Sequence, residues 1–253
     1  MVGALALLIA CGRGGDDNTP TVEEPVFVGM DDLDLLTRAS LDLRGVRPTV
    51  EELEAVSEGT ESVDVFIEDF IQDQRFGRRV RDMMSYSYLT RVETYSVLAQ
   101  DYGLEDDIGL FTWAVGEEVL RIISTIAEDD LPWSTVVTAD WTMADEFLGE
   151  AWPVDYPTGE TGWMQVEYTD GRPKAGILSA NGMWWRYGST TNNANRGRAN
   201  AISRLLLCSN FLSRSVEFDR SVNLLDEDAL NDALRNNSGC VACHVTLDPL
   251  AAH

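Results

Sequence analysis

The chain has 253 residues, of which 44% are hydrophobic and 25% are charged, a composition typical of a globular protein with a sizeable core. Its 43 acidic residues outnumber its 19 basic residues, which gives a formal net charge of -24. Nucleic acids and anionic membrane surfaces are polyanions, so this charge disfavours unassisted binding to either. We therefore expect no nucleic-acid partner.

The chain begins with an apolar run, MVGALALLIAC, that is too short to span a bilayer. Its last letters, LIAC, resemble a bacterial lipobox, in which the cysteine becomes the lipidated first residue. We interpret residues 1–11 as a lipoprotein signal peptide ending at Cys11, although no basic residue precedes the apolar run; an ordinary buried segment is the alternative. Residues 12–25 are rich in Gly, Asp and Pro and predict a flexible tether. The expected location is periplasmic or cell-surface, with a lipid anchor, and Gly12 is compatible with the outer membrane of a Gram-negative-type bacterium.

Residues 26–235 form the main predicted region, and their first half is helical in pattern. The segment DDLDLLTRASLDLRG predicts a helix that stops at Gly45. Thr49 and Glu52 occupy the positions of a capping box and mark the start of a second helix. The inward-facing residues of the next two predicted helices are Val63, Phe66, Ile67, Phe70 and Ile71, then Phe76, Val80, Met83 and Met84.

The second half continues this pattern with one interruption. A long helix is predicted to end before Pro132, with Val115, Val119, Ile122, Ile123 and Ile126 on its inner face. The segment WMQVEYTDGRPKAGIL predicts two short strands around a turn at Asp170-Gly171. The segment GRANAISRLLLCSNFL returns to helix, with Cys208 as a buried core residue, and a last short helix stops at Asn236 to Gly239. The predicted fold is mainly α, a helical bundle-like domain with a small β-hairpin.

Residues 236–253 carry the motif with the clearest chemistry. Cys240, Cys243 and His244 form a CxxCH sequence, the attachment pattern of c-type haem. Two thiols at this spacing reach two vinyl groups of one porphyrin, and the adjacent histidine then becomes the proximal iron ligand. The expected cofactor is haem c, covalently held, and an export signal upstream favours it because this attachment takes place outside the cytoplasm.

Two other interpretations of the cysteines stay open. A redox-active disulfide between Cys240 and Cys243 lacks the surrounding βαβ pattern of a thioredoxin-like site. A structural zinc site would need Cys208, both CxxC cysteines and one histidine. The ligand on the opposite face of a haem iron is unassigned; the candidates are His253, Met143, Met164, Met183, a vacant or water-filled position, or a residue beyond the sequence.

No motif of a hydrolase, metalloprotease, P-loop or dinucleotide-binding protein occurs in the chain, so the sequence does not decide whether the protein is an enzyme. The segment NGMWWRYG is the most unusual remaining stretch. Trp184, Trp185 and Tyr187 beside Arg186 predict either a packed aromatic cluster or a surface that faces a sugar or the haem.

Five segments together resemble the planctomycete cytochrome-associated domain families: LDLRGVRPTVEELEAV, RFGRRVRDMM, LPWSTVVTADWTMADEFL, KAGILSANGMWWRYGSTTNNANRGRAN and CVACHVTLDPLAAH. The resemblance implies an exported bacterial protein whose haem is attached at Cys240, Cys243 and His244. Asp248 and Pro249 match the turn that follows the haem helix in those families. Their members continue well past this turn, so the resemblance implies a C-terminally truncated member.

The sequence thus predicts an extracytoplasmic c-type haem lipoprotein that transfers electrons to or from an unnamed redox partner. The alternative is a non-redox binding or scaffold lipoprotein of the cell surface, in which CxxCH holds zinc or a structural haem. A third class, a haem peroxidase or oxidase, requires an open iron site.

Overall fold

The computed structural model describes residues 29–105, 109–189, 194–215, 222–223 and 225–251. This part of the chain is mainly helical with one two-stranded antiparallel sheet, which confirms the predicted class. The predicted signal peptide, its lipidation site Cys11 and the tether lie outside the described residues, as does His253. Within the described ranges, no helix is both long enough and apolar enough to cross a membrane.

The described residues form eleven α-helices and two strands. In chain order the helices are α1 (Asp32–Leu43), α2 (Val50–Ser57), α3 (Val63–Gln72), α4 (Arg75–Tyr88), α5 (Leu110–Glu128), α6 (Thr135–Thr138), α7 (Glu146–Ala151), α8 (Asn181–Arg186), α9 (Arg196–Leu206), α10 (Glu227–Asn236) and α11 (Ser238–Ala251). The strands are β1 (Thr142–Ala144) and β2 (Met164–Val166).

Helices α1 to α3 pack around Leu36, Val63 and Phe70, as their apolar stripes predicted. The capping box at the start of α2 is confirmed: Thr49 accepts from the backbone of Glu52, and Glu52 accepts from the backbone of Thr49. Glu52 also receives two hydrogen bonds from Arg44, at 2.9 and 2.8 Å, which fix the end of α1 against the start of α2. These arginine bonds are the main reason that the pKa of Glu52 lies below its ordinary value.

Helix α5 runs through the centre of the molecule, and its neighbours include α4, α7, α8 and β1. All five of its predicted inner residues are buried, and it ends at Glu128, ahead of Pro132. Helix α4 buries Phe76 and Val80 against it, but Met83 is 41% exposed, so the prediction that Met83 faces inward is wrong. The buried face of α4 also includes Gly77 and Tyr88, and this shifts its centre away from Met83.

A fully buried carboxylate, Glu118 of α5, joins the central helix to three other parts of the chain. Its Oε1 accepts hydrogen bonds from the hydroxyls of Thr142 and Tyr168, and its Oε2 accepts from the backbone N–H of Gly182 at 2.7 Å. Burial raises the pKa of Glu118 above its ordinary value of 4.5, while the three donors act in the opposite direction. A Cβ at Gly182 would lie 2.1 Å from the carbonyl oxygen of Val115, so only glycine permits α8 to approach α5 this closely.

The small sheet does not have the predicted pairing. Strand β2 pairs antiparallel with β1, with Met143 opposite Gln165, and not with residues beyond the Asp170-Gly171 turn. The predicted hairpin is therefore wrong, although a two-stranded sheet is present. After the turn, Arg172 donates to Asp170, to the carbonyl oxygen of Ser179 and to the side chain of Asn181, so this segment folds on itself and forms no ladder.

Helix α9 ends at Leu206, earlier than its apolar pattern suggested. Cys208 lies on the following turn, exposed and with φ at +53°, so its prediction as a buried core residue is wrong. The chain turns because the backbone N–H of Ser209 donates back to the carbonyl oxygen of Ser203 at 3.0 Å. Leu205 and Leu206 instead make the contact with the main core.

We predict that Glu118→Leu lowers the free energy of unfolding by about 4 kcal/mol, because it leaves three buried donors without an acceptor. Glu118→Gln is the matched control: its carbonyl oxygen can still accept from both hydroxyls, and the expected loss is below about 2 kcal/mol. Urea unfolding followed by circular dichroism measures both. Equal stability of the two variants would contradict the role assigned to this carboxylate.

The raised pKa of Glu118 also predicts a pH effect with a definite sign. Above pH 4.5 and below its folded pKa, the folded state binds more protons than the unfolded state at this residue. The contribution of Glu118 to stability therefore falls as the pH rises through this window. Measured from pH 4.5 to pH 7.5, the stability of the native protein should decline relative to that of Glu118→Gln; a rising difference would overturn the assignment.

Candidate functional site

The CxxCH motif lies on α11, the last described helix. Helix α10 ends at Asn236, and Asn237 separates it from α11 with an extended backbone, φ -82° and ψ 120°. The side-chain oxygen of Asn237 accepts from the backbone N–H of Gly239 at 3.0 Å and so caps the new helix. The predicted stop is confirmed at Asn236, but Gly239 belongs to the next helix.

Cys240, Cys243 and His244 are brought to one side of α11 by their spacing of three and four residues. All three side chains are partly buried, and both cysteines are free thiols. Two thiols and an imidazole on adjoining turns are the donor set that covalent haem attachment requires. The described residues of the motif therefore fit the predicted cofactor in chemistry and spacing.

His244 is oriented by a carboxylate one turn further along the helix. Its Nδ1 lies 2.9 Å from Oδ1 of Asp248. Arg196, the first residue of α9, donates to both oxygens of Asp248, at 2.7 and 3.1 Å. These bonds, that of Arg196 first, lower the pKa of Asp248, so its carboxylate is ionised and can only accept. In the neutral imidazole, Nδ1 consequently carries the proton and Nε2 keeps the lone pair that binds a metal.

Helix α11 is held against α9 by a small apolar cluster as well as by this ion pair. Ala199, Phe211, Leu247 and Ala251 are its buried members, and Cys243 packs against them from the motif itself. The methyl side chain of Ala199 allows the two helices to lie close together. One thiol of the motif thus faces the interior of this C-terminal unit.

The family resemblance predicted a turn at Asp248-Pro249, and the structure differs here. Helix α11 continues to Ala251, so Pro249 lies inside it. Proline lacks a backbone N–H, and its position costs the helix one backbone hydrogen bond. Asp248 is instead used as the acceptor for His244 and Arg196.

The other candidate ligands lie apart from the motif. Met143 and Met183 are buried in the main core around α5, and Met164 packs against a second core cluster at the N-terminal end of that helix. These methionines serve as packing residues there. Cys208 is exposed beyond α9, and the described part of the chain contains no group of three or more His, Cys, Asp or Glu side chains placed to hold a metal ion.

The aromatic segment is packed at Trp184 and Tyr187, whereas Trp185 is partly exposed. Trp184 packs against the main core with its Nε1 donating to the carbonyl oxygen of Leu178 at 2.7 Å, and the hydroxyl of Tyr187 donates to the carbonyl oxygen of Tyr88. Trp185 is 40% exposed and lines a surface cleft of about 1140 Å³.

No protein-family model, curated protein or solved structure matches the chain. Sequence reasoning identified the motif residues but missed Arg196, which completes the arrangement around His244. Its partner Asp248 is 52 residues away, and no spacing rule connects residues on two different helices. The only signal was the position of Asp248 four residues after His244, which places both on one helical face.

Proposed function

We propose that the chain holds one c-type haem through Cys240 and Cys243, with His244 as the proximal ligand, and that it transfers electrons outside the cytoplasm. The observation that carries this proposal is the contact of His244 with Asp248: Nδ1 lies 2.9 Å from Oδ1 of Asp248, so Nε2 is the ring nitrogen that remains to bind a metal.

Each residue of the site would have a separate task. Cys240 and Cys243 would each add a thiol S–H across one vinyl C=C of the haem and so form a thioether, an addition that would need no oxidant and only reduced cysteines. Bound haem would supply an iron that changes between the ferrous and ferric states. Asp248 and Arg196 are positioning residues, since they fix the ring and the tautomer of His244 and set how much electron density its Nε2 offers.

The first experiment is expression with a periplasmic c-type maturation system, followed by a pyridine haemochrome spectrum after denaturing extraction of free haem. We expect a c-type band in the native protein, and in Cys208→Ala, the matched control that removes a cysteine outside the motif. The double variant Cys240→Ala, Cys243→Ala should lose the band. A native protein without the band would overturn the haem proposal.

Electron transfer is tested separately, on the matured protein. Spectroelectrochemical titration should give one reversible transition. If the haem cannot be reduced and reoxidised reversibly, the haem proposal stands and the electron-transfer role is rejected.

The side chains around His244 predict in which direction the reduction potential changes when they are substituted. Asp248→Asn replaces an ionised acceptor by a neutral one, so the imidazole donates less to the iron and the ferric state loses stability. We expect the reduction potential to rise by roughly 60 mV, which corresponds to about a tenfold change in the relative affinity for the two oxidation states of a one-electron couple. Arg196→Gln should shift the potential in the opposite direction, because no guanidinium then neutralises the carboxylate of Asp248, which accepts more strongly from His244.

The matched control is Asp232→Asn on α10. Asp232 is an exposed aspartate whose partner is Asn236, and this variant should have the reduction potential of the native protein. Opposite shifts for Asp248 and Arg196 separate positioning from a purely structural role, since loss of packing would move both potentials in the same direction. Shifts of the same sign in the two variants would contradict the positioning role proposed for Asp248 and Arg196.

The packing of α11 favours a second candidate function, a non-redox binding or scaffold protein. Cys243 already contacts the apolar cluster around Phe211, so the motif can act as a structural element of the C-terminal unit. In this case the native protein would contain stoichiometric zinc, or a haem without a redox transition. The haemochrome spectrum, elemental analysis and titration together decide between the two functions.

The proposed location and family follow from the sequence. Export through the segment ending at Cys11 and membership of the planctomycete cytochrome-associated families agree with c-type attachment outside the cytoplasm. The chain would then be a membrane-anchored lipoprotein of the periplasm or cell surface.

Lipidation is tested by labelled palmitate in a host with lipoprotein processing. We expect the full-length chain to incorporate the label and Cys11→Ser to lose it. Cys208→Ser, which changes another cysteine, should remain labelled. An unlabelled native chain would reject the lipid anchor and leave the haem proposal intact.

A further inference from the structure

A cleft of about 1140 Å³ opens beside α8 and is separate from the CxxCH motif. One wall is the segment after the Asp170-Gly171 turn, another is the end of α8, and a third is formed by α9 with the last turn of α11. Neither cysteine of the motif, nor His244, lines it. Its volume exceeds the 300–1,000 Å³ common for small-molecule sites, which suits an extended ligand.

The first wall is rigid and electrically balanced. The guanidinium of Arg172 bonds Asp170 through Nε and Nη2, and its Nη1 donates to the carbonyl oxygen of Ser179 and to Asn181, both at 2.8 Å. The same group lies 3.7 Å from the ring centre of Tyr168. Because Asp170 neutralises Arg172, this wall offers a fixed polar edge and no free charge.

The wall formed by α9 carries a charge that no described carboxylate balances. Arg198 of α9 donates through Nε to the carbonyl oxygen of Tyr187 at 3.2 Å, and its guanidinium lies 5.3 Å from the ring centre of Trp184. Among the described residues, no carboxylate pairs with Arg198, and its two terminal nitrogens have no hydrogen-bond acceptor. With Nε engaged, the two terminal nitrogens of this cleft-lining residue keep parallel N–H groups, the donor geometry that a carboxylate accepts.

Trp185 supplies a flat apolar surface at the same cleft. It is 40% exposed, whereas its neighbour Trp184 is fixed by the bond from Nε1 to Leu178. Ile202 and Leu250 add apolar contacts along the wall of α9 and α11. An exposed indole face packs well against the C–H face of a sugar ring, while the hydroxyls of the ring remain available to polar side chains.

We propose that this cleft binds an oligosaccharide that carries a single carboxylate, a uronic acid unit. Trp185 packs against one sugar ring and Arg198 receives the carboxylate. The unbalanced charge of Arg198 matches one negative charge on the ligand. The net charge of the chain, -24, disfavours ligands with many negative charges, such as a polyphosphate or a polyuronate. This site is independent of the haem proposal, because it uses none of the residues that would hold the cofactor.

The experiment is isothermal titration calorimetry of the full-length protein with a trisaccharide containing one glucuronic acid, and with the matched neutral trisaccharide. We expect the uronate to bind at least tenfold more tightly than the neutral sugar. Arg198→Gln should remove this difference and leave binding of the neutral sugar within twofold of native. Trp185→Ala should weaken both sugars at least tenfold.

Trp133→Ala is the matched control, because Trp133 is comparably exposed at 49% and does not line the cleft. It should bind both sugars as the native protein does. Circular dichroism and thermal unfolding establish that each variant is folded, and Arg198→Lys, which keeps the charge, should retain part of the preference for the uronate. No binding of either sugar, equal binding by native and Arg198→Gln, or tighter binding of ATP than of the uronate would overturn the proposal.

Discussion

The buried carboxylate of Glu118 is the interaction on which most of the structure depends. It accepts from β1, from Tyr168 and from the first turn of α8, so one side chain of the central helix sets the position of three segments. Its raised pKa records the cost of burial, and the three donors offset that cost. Without these acceptor oxygens, two hydroxyls and a backbone N–H would be buried without partners.

Two arginines of α9 link α8 and the core to the C-terminal helix α11. Arg204 of α9 donates to the hydroxyl of Tyr187, just after α8, and to the carbonyl oxygen of Ser87 at the end of α4. Arg196, at the start of α9, then binds Asp248 of α11. The candidate haem-attachment helix is therefore fixed to the core through α9, and the cleft lies where α8, α9 and α11 meet.

Local patterns were sufficient for most of the helices, because capping and helical periodicity act within a few residues. The capping box of Thr49 and Glu52 and the buried stripe of α5 are both present as predicted. The prediction of a hairpin at Asp170 was wrong because β2 pairs with β1, which lies well before it in the chain. A turn signal does not specify a partner that is distant in sequence. The prediction that Cys208 is buried was wrong because the hydrogen bond from Ser209 to Ser203 ends α9 before the apolar pattern of the sequence ends.

By itself the sequence determined the donor set of the site, since Cys240, Cys243 and His244 owe their common face to helical spacing alone. It also determined the acidic charge and the mainly helical class. Only the tertiary structure placed Arg196 on Asp248, and only it brought Arg198 and the exposed Trp185 to the lining of one cleft. Both depend on how separate helices pack, and that packing is fixed by contacts between residues far apart in the chain.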